Sequence, residues 1–167
     1  SKKSKMLDVM TAETWRPDLN GLGEFSTDRT KDGSQISYFN DFMKIFSEDI
    51  NDMGKELELE TLEIKNLWSV TYDTGDFHPV HTHGKTHYSA VIYFDYDPEE
   101  HTPTYFVTDN IHHISQNSDI ISQNVVEGTI CVFPSNILHF TLPNKSKKLR
   151  KIISFDMDVS QKHPVRY

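Results

Sequence analysis

The feature that most restricts the fold is a change of hydrophobic period about a third of the way along the chain. Phe39, Phe42, Met43, Phe46, Ile50 and Met53 recur at spacings of three and four, which makes one apolar stripe on a helix. Ser34 is placed to cap its start and Gly54 to stop it. Beyond that point the helical period does not return. "LETLEIKNLWSVTY" alternates toward its end as a half-buried strand does, and "HYSAVIYF", "PTYFVTD" and "LRKIISFDMDV" are compact β-rich runs. "QNVVEGTICVF" reads as two short strands meeting at Glu127 and Gly128, and "KSKKLRK" as a solvated turn entering the last strand. One flanking helix followed by roughly seven or eight short strands, with no helical pattern between them, predicts a mainly β protein. The architecture expected is an antiparallel sandwich or jelly roll.

With 167 residues the chain suits one domain with a core of useful size. Residues 1–34 are expected to form a polar tail and a turn-rich loop segment that packs on the core, anchored by Trp15 and Phe25. Residues 35–167 are expected to be the single jelly-roll domain. A net charge of −8 argues against an electropositive nucleic-acid surface. No apolar stretch approaches a membrane span, and the N-terminus lacks a signal-type apolar run. The lone Cys131 excludes an internal disulfide, so a reduced, intracellular and cytoplasmic setting is the simplest expectation.

The segment "GDFHPVHTHGKTHYSAVIYF" holds four of the nine histidines. On a strand, His81 and His83 project to one side with their α-carbons about 6.5–7 Å apart, near enough for both imidazoles to reach one ion. A second histidine segment, "EGTICVFPSNILHFTLPN", follows a Gly turn and an alternating strand, and carries His139. Antiparallel pairing in a jelly roll brings such distant segments together. Three imidazoles suit Fe, Zn, Ni or Cu and leave positions open for chemistry. His78 is expected in a loop and His87 at the surface or behind a ligand. His101, His112, His113 and His163 are assigned no chemistry. Near the C-terminus, Arg150, Ile152 and Ser154 share one strand face, and a guanidinium beside a hydroxyl is a carboxylate-binding pair.

Four motifs in order carry a family likeness: Y-x-x-G-x-x-x-x-x-H-x-H from Tyr72 to His83, "SAVIYF" from Ser89, G-x-x-x-x-F-P-S-x-x-x-H from Gly128 to His139, and R-x-x-x-S-F from Arg150. Over roughly Phe39 to Val159 the chain resembles the Fe(II)- and 2-oxoglutarate-dependent oxygenases. The nearest likeness is to small bacterial and phage oxygenases, with prolyl hydroxylases further off. The resemblance implies a double-stranded β-helix core with Fe(II) as metal and 2-oxoglutarate as cosubstrate. It also implies hydroxylation of a C–H bond in a small-molecule or peptide substrate, with release of succinate and CO₂. It puts His81 and His139 at the two usual histidine positions and His83 where the family usually has a carboxylate. It implies that Arg150 and Ser154 hold the distal carboxylate of 2-oxoglutarate, with the phenols of Tyr72 and Tyr93 nearby.

Two other readings compete. The Gly75 and Gly128 segments also approximate the two cupin motifs, although the acidic ligand of those motifs would fall on His87 or Tyr88. A cupin dioxygenase or isomerase that does not use 2-oxoglutarate has no evident use for Arg150 with Ser154. A non-enzymatic jelly-roll module with a structural metal is the third, since a fold alone does not fix a function.

Overall fold

The computed structural model describes residues 14–15, 24–27, 38–108 and 119–161. Residues 1–13, 16–23, 28–37, 109–118 and 162–167 lie outside the described residues. Outside them too are the proposed cap Ser34, the side chains of Trp15 and Phe25, and His112, His113 and His163.

The helix, α1, spans Tyr38–Glu56, with Asp41 in its first turn and Lys55 in its last, each favourable to the helix dipole. Phe42, Phe46 and Ile50 bury its apolar stripe against the sheet. Gly54 does not stop it: a glycine costs about 1 kcal/mol inside a helix, and neighbouring packing overrides that. The helix ends where the amides of Leu57 and Glu58 bond back to the carbonyls of Met53 and Lys55, and Glu58 takes a φ of 53°. The described part of this chain contains no helix long and apolar enough to cross a membrane.

Two short strands, β1 (Thr14–Trp15) and β2 (Glu24–Thr27), precede the helix. Eight follow it among the described residues: β3 (Leu59–Tyr72), β4 (His78–His81), β5 (Tyr88–Asp95), β6 (Tyr105–Thr108), β7 (Asp119–Ser122), β8 (Ile130–Pro134), β9 (Leu138–Thr141) and β10 (Arg150–Gln161). They form a six-stranded sheet, β1-β2-β3-β10-β5-β8, and a four-stranded sheet, β4-β9-β6-β7. The pairings between them are antiparallel. The last eight strands thus make two sheets of four, the double-stranded β-helix or jelly roll. "QNVV" is not a strand. β7 lies just before it, and Val125 instead drops into the core as the chain turns toward Gly128.

The strand period sorts the core into two layers. Ile153, Phe155 and Met157 of β10, with Ala90, Ile92 and Phe94 of β5, face the helix. Ile152 of β10, Val91 and Tyr93 of β5, Val70 and Tyr72 of β3 and Phe133 of β8 face the second sheet, where Phe106 of β6 meets them. The second layer carries the polar residues that matter below.

Candidate metal centre

β4 and β9 are direct neighbours, with His81 opposite His139 and His78 opposite Thr141. The meeting expected of the two histidine segments is therefore a cross-strand pair. The loop leading into β4 is clamped: Gly75, at a φ of 90°, donates its amide to the Asn144 carbonyl, and Asn144 donates back to Asp76. His78 lies at the start of β4 and not in a loop, its amide held by Thr141 Oγ1 at 2.9 Å.

His81 and His83 do not share a continuous strand. β4 ends at His81, because the amide of His83 turns to the carbonyl of Ser135 after β8 and carries the chain toward the larger sheet. The imidazoles converge nonetheless. Ring centroids are 5.1 Å apart for His81 and His83, 4.2 Å for His81 and His139, and 4.8 Å for His83 and His139. One ring nitrogen from each lies within 4.8 Å of the others.

Hydrogen bonding sets the tautomers. His81 Nδ1 lies 2.8 Å from the Pro79 carbonyl and His139 Nδ1 3.0 Å from that of Ile137, and a carbonyl can only accept. His83 Nδ1 lies 2.7 Å from Asp156 Oδ1, also an acceptor. All three rings thus carry their proton on Nδ1 and present a bare Nε2. The 3.2 Å between Nε2 of His81 and Nε2 of His83 satisfies a hydrogen-bond distance, but with both protons engaged elsewhere it sets lone pair against lone pair. Two nitrogens bound at about 2.1 Å and at right angles on one ion stand about 3.0 Å apart, so the spacing suits a cation. Burial, with repulsion from the neighbouring imidazoles, holds His139 at a pKa of about 4 and His78 at about 3. Burial is the largest cause lowering His81 as well. His81 and His139 are thereby kept in the neutral form that ligates a metal.

Arg150, Ile152 and Ser154 share a face of β10, as the alternation predicts, and Ile152 and Ser154 line the same cleft as the histidines. Arg150 is 3% exposed, and its Nε and Nη2 have no hydrogen-bond partner among the described residues. Its Cζ lies 4.8 Å from the Tyr72 ring centre and 5.9 Å from that of Tyr93. Tyr72 lines the cleft, with its hydroxyl 3.5 Å from His78 Nδ1, while the Tyr93 hydroxyl accepts from the Thr104 amide at 2.9 Å. A buried guanidinium with free donors is costly unless an anion meets it. Thr104 Oγ1, also buried and unpartnered, lines the same cleft. The orphaned polar side-chain atoms among the described residues therefore gather at one place.

Sequence reasoning missed Thr104, and it missed Asp156 behind His83. It also missed Trp68, whose ring centre stands 5.3 Å from that of His83. Asp156 had a signal, since it continues the Arg150, Ile152, Ser154 alternation by one more step. His87 is exposed and bonds to the Val159 amide, and His101 is buried in a turn between the Asp97 amide and the Lys148 carbonyl. Neither joins the cluster.

No curated protein matches the chain. Among solved structures it is similar to SnoN, a non-heme alpha-ketoglutarate-dependent epimerase from nogalamycin biosynthesis, at 13% identity. That match covers 93% of this chain and 72% of the other, with a TM-score of 0.68. An oxidoreductase of the 2OG-Fe(II) oxygenase family from Burkholderia pseudomallei is similar at 10% identity, covering 96% and 81%, with a TM-score of 0.66. A prolyl-4-hydroxylase from Pseudomonas putida is similar at 14% identity, covering 97% and 86%, with a TM-score of 0.56. At these identities the likeness establishes the fold. The sequence profile of the family described as "Putative 2OG-Fe(II) oxygenase" matches residues 66–156, more than half of the chain. That stretch contains the three converging histidines, Arg150 and Ser154, and the chain belongs to the 2OG-Fe(II) oxygenase family, whose cofactors are Fe(II) and 2-oxoglutarate.

Proposed function

We propose that this oxygenase hydroxylates a C–H bond of a small-molecule or peptide substrate, with 2-oxoglutarate as cosubstrate, and that His81, His83 and His139 hold the iron. The observation that carries the reading is a pairing of opposite demands in one cleft. Three Nε2 lone pairs converge where only a cation relieves them, and a buried guanidinium beside the same cleft lacks an anion. A metal together with a dicarboxylate answers both.

When bound, Fe(II) supplies oxygen activation coupled to decarboxylation of 2-oxoglutarate to succinate and CO₂. The protein supplies the rest. The carbonyls of Pro79 and Ile137 and the carboxylate of Asp156 lock the three rings with Nε2 inward. Arg150 offers two free N–H donors to the distal carboxylate, in the planar arrangement that suits bidentate binding, and Ser154 lies on the same strand face. Tyr72 packs against the guanidinium and fixes its plane. Trp68, Val70, Val91 and Ile152 give the cleft apolar walls that exclude water from the reacting centre. No side chain is required as acid or base.

The absence of a carboxylate among the three converging residues does not favour the cupin alternative, which leaves Arg150 unexplained. The test is a succinate assay with Fe(II), 2-oxoglutarate and O₂ across a panel of candidate substrates, with product masses recorded. A substrate gaining one oxygen atom supports hydroxylation. A substrate that drives succinate formation yet loses hydrogen or changes configuration, with no oxygen gained, overturns the hydroxylase reading and leaves the family assignment intact.

A further inference from the structure

Asp156 stands outside the converging nitrogens, yet it is 5% exposed and its one ion-pair contact among the described residues is with His83. We propose that Asp156 is a positioning residue for the iron. It fixes His83 in the Nδ1–H tautomer and lends negative charge, through that imidazole, to a site whose three ligands carry none. The proposal rests on the assignment of His81, His83 and His139 as iron ligands.

The placement follows from the sheet. Asp156 lies on the same face of β10 as Arg150 and Ser154, and its cross-strand neighbours are Asn66 on β3 and Ser89 on β5. Both bind it: Asn66 Nδ2 donates to Oδ2 at 3.0 Å, and Ser89 Oγ donates to Oδ1 at 2.7 Å. Directly after Asp156 the pairing with β3 slips, so that Met157 meets Ile64 and Lys65 is passed over. A bulge at this point re-aims side chains, as bulges beside functional sites do. The carboxylate is thus held from both sides with one oxygen on His83 Nδ1 at 2.7 Å. Ser89, fully buried, also lies 2.9 Å from that nitrogen and continues to Ser135 at 2.9 Å and Thr86 at 3.0 Å from Ser135, so the arrangement is braced behind the ring.

A purely structural ion pair would show the same contacts. What separates the two is the effect on the metal. A carboxylate behind a ligating imidazole raises that ligand's basicity, and removing such a partner typically costs 10- to 100-fold in metal affinity. Its charge also favours the more oxidised ion.

The experiment compares wild type with Asp156→Asn, which keeps the shape and one acceptor oxygen. The Asn66 amide can turn to receive the new NH₂. Each protein is titrated anaerobically with Fe(II) alone, and the Fe(III)/Fe(II) midpoint potential is measured without 2-oxoglutarate. The expected result is a 10- to 100-fold loss of Fe(II) affinity and a higher potential in the variant. Unchanged affinity and potential in a folded variant overturn the proposal while wild-type loading keeps the iron-site reading standing. If Asp156→Asn does not fold, wild type loaded with Co(II) decides. Its proton spectrum should show an exchangeable, hyperfine-shifted Nδ1–H of His83 that survives longest in D₂O, and its absence overturns the proposal. Wild type that takes up neither Fe(II) nor Co(II) overturns the iron-site reading, and the role of Asp156 falls with it.

Discussion

The guanidinium of Arg150 lies 4.8 Å from the centre of the Tyr72 ring, and that ring's hydroxyl lies 3.5 Å from His78 at the edge of the histidine cluster. One phenol therefore bridges the buried guanidinium and the histidine cluster. The bridge makes Arg150 the residue where cosubstrate binding and iron binding can be separated.

Arg150→Ala should weaken 2-oxoglutarate binding by about 2–4 kcal/mol, on the order of 30- to 1000-fold, and leave Fe(II) affinity nearly unchanged. Arg150→Lys should recover part of this, because an ammonium keeps the charge and loses the planar fork. Because the buried guanidinium lacks an anion in the apoprotein, Arg150→Met should leave apoprotein stability level or raise it by about 1 kcal/mol. Calorimetric titration of 2-oxoglutarate and denaturant unfolding of each apoprotein check both parts. Unimpaired cosubstrate binding by folded Arg150→Ala contradicts the assignment.

His139→Ala should abolish tight iron binding, since His81 and His83 alone leave the metal with two protein ligands. Iron content after identical anaerobic reconstitution and desalting is the readout. Equal iron in the two proteins rules out His139 as a ligand.

The apoprotein should lose stability as pH falls from about 7 to about 4. Unfolded, these imidazoles take up protons near pH 6.5. Folded, burial and mutual repulsion delay this to about pH 4 for His139 and about pH 3 for His78. The unfolded state therefore binds more protons in that window, and lowering the pH favours it. At about 1.4 kcal/mol per pKa unit, His139 alone accounts for about 3 kcal/mol by pH 4. Urea midpoints across this range test the slope, and His139→Ala should flatten it. A midpoint that stays level or rises as pH falls contradicts it.

Phe155 is fully buried on the helix side of β10, beside Phe42 at 5.7 Å between ring centres, while its neighbour Ser154 lines the cleft on the other face. Phe155→Ala should cost about 3–5 kcal/mol of stability through the lost burial and the cavity left. Iron affinity per folded molecule should not change. Thermal unfolding and metal titration of the folded fraction check the two halves separately.

The residues that were legible in the sequence are those whose spacing is local. The 3.6 period of Phe42, Phe46 and Ile50, the β-rich runs of β5 and β10, and the shared face of Arg150, Ile152 and Ser154 appear as written. The junctions were not legible. Gly54 lies inside the helix because packing outweighs its backbone cost, and the end falls at Leu57 and Glu58. The His81–His83 pair needed no strand between its members, because the Ser135 carbonyl turns the chain there. Asp156 is a non-local partner, joined to His83 across 73 positions, and no short motif contains both.

The most direct test of the account is an anaerobic titration of 2-oxoglutarate into Fe(II)-loaded wild type, followed by visible absorption. The account predicts a weak charge-transfer band that grows to saturation with the cosubstrate, is lost in His139→Ala, and needs far more 2-oxoglutarate in Arg150→Ala. Iron-loaded wild type that shows no band and binds no 2-oxoglutarate at millimolar concentration would contradict it.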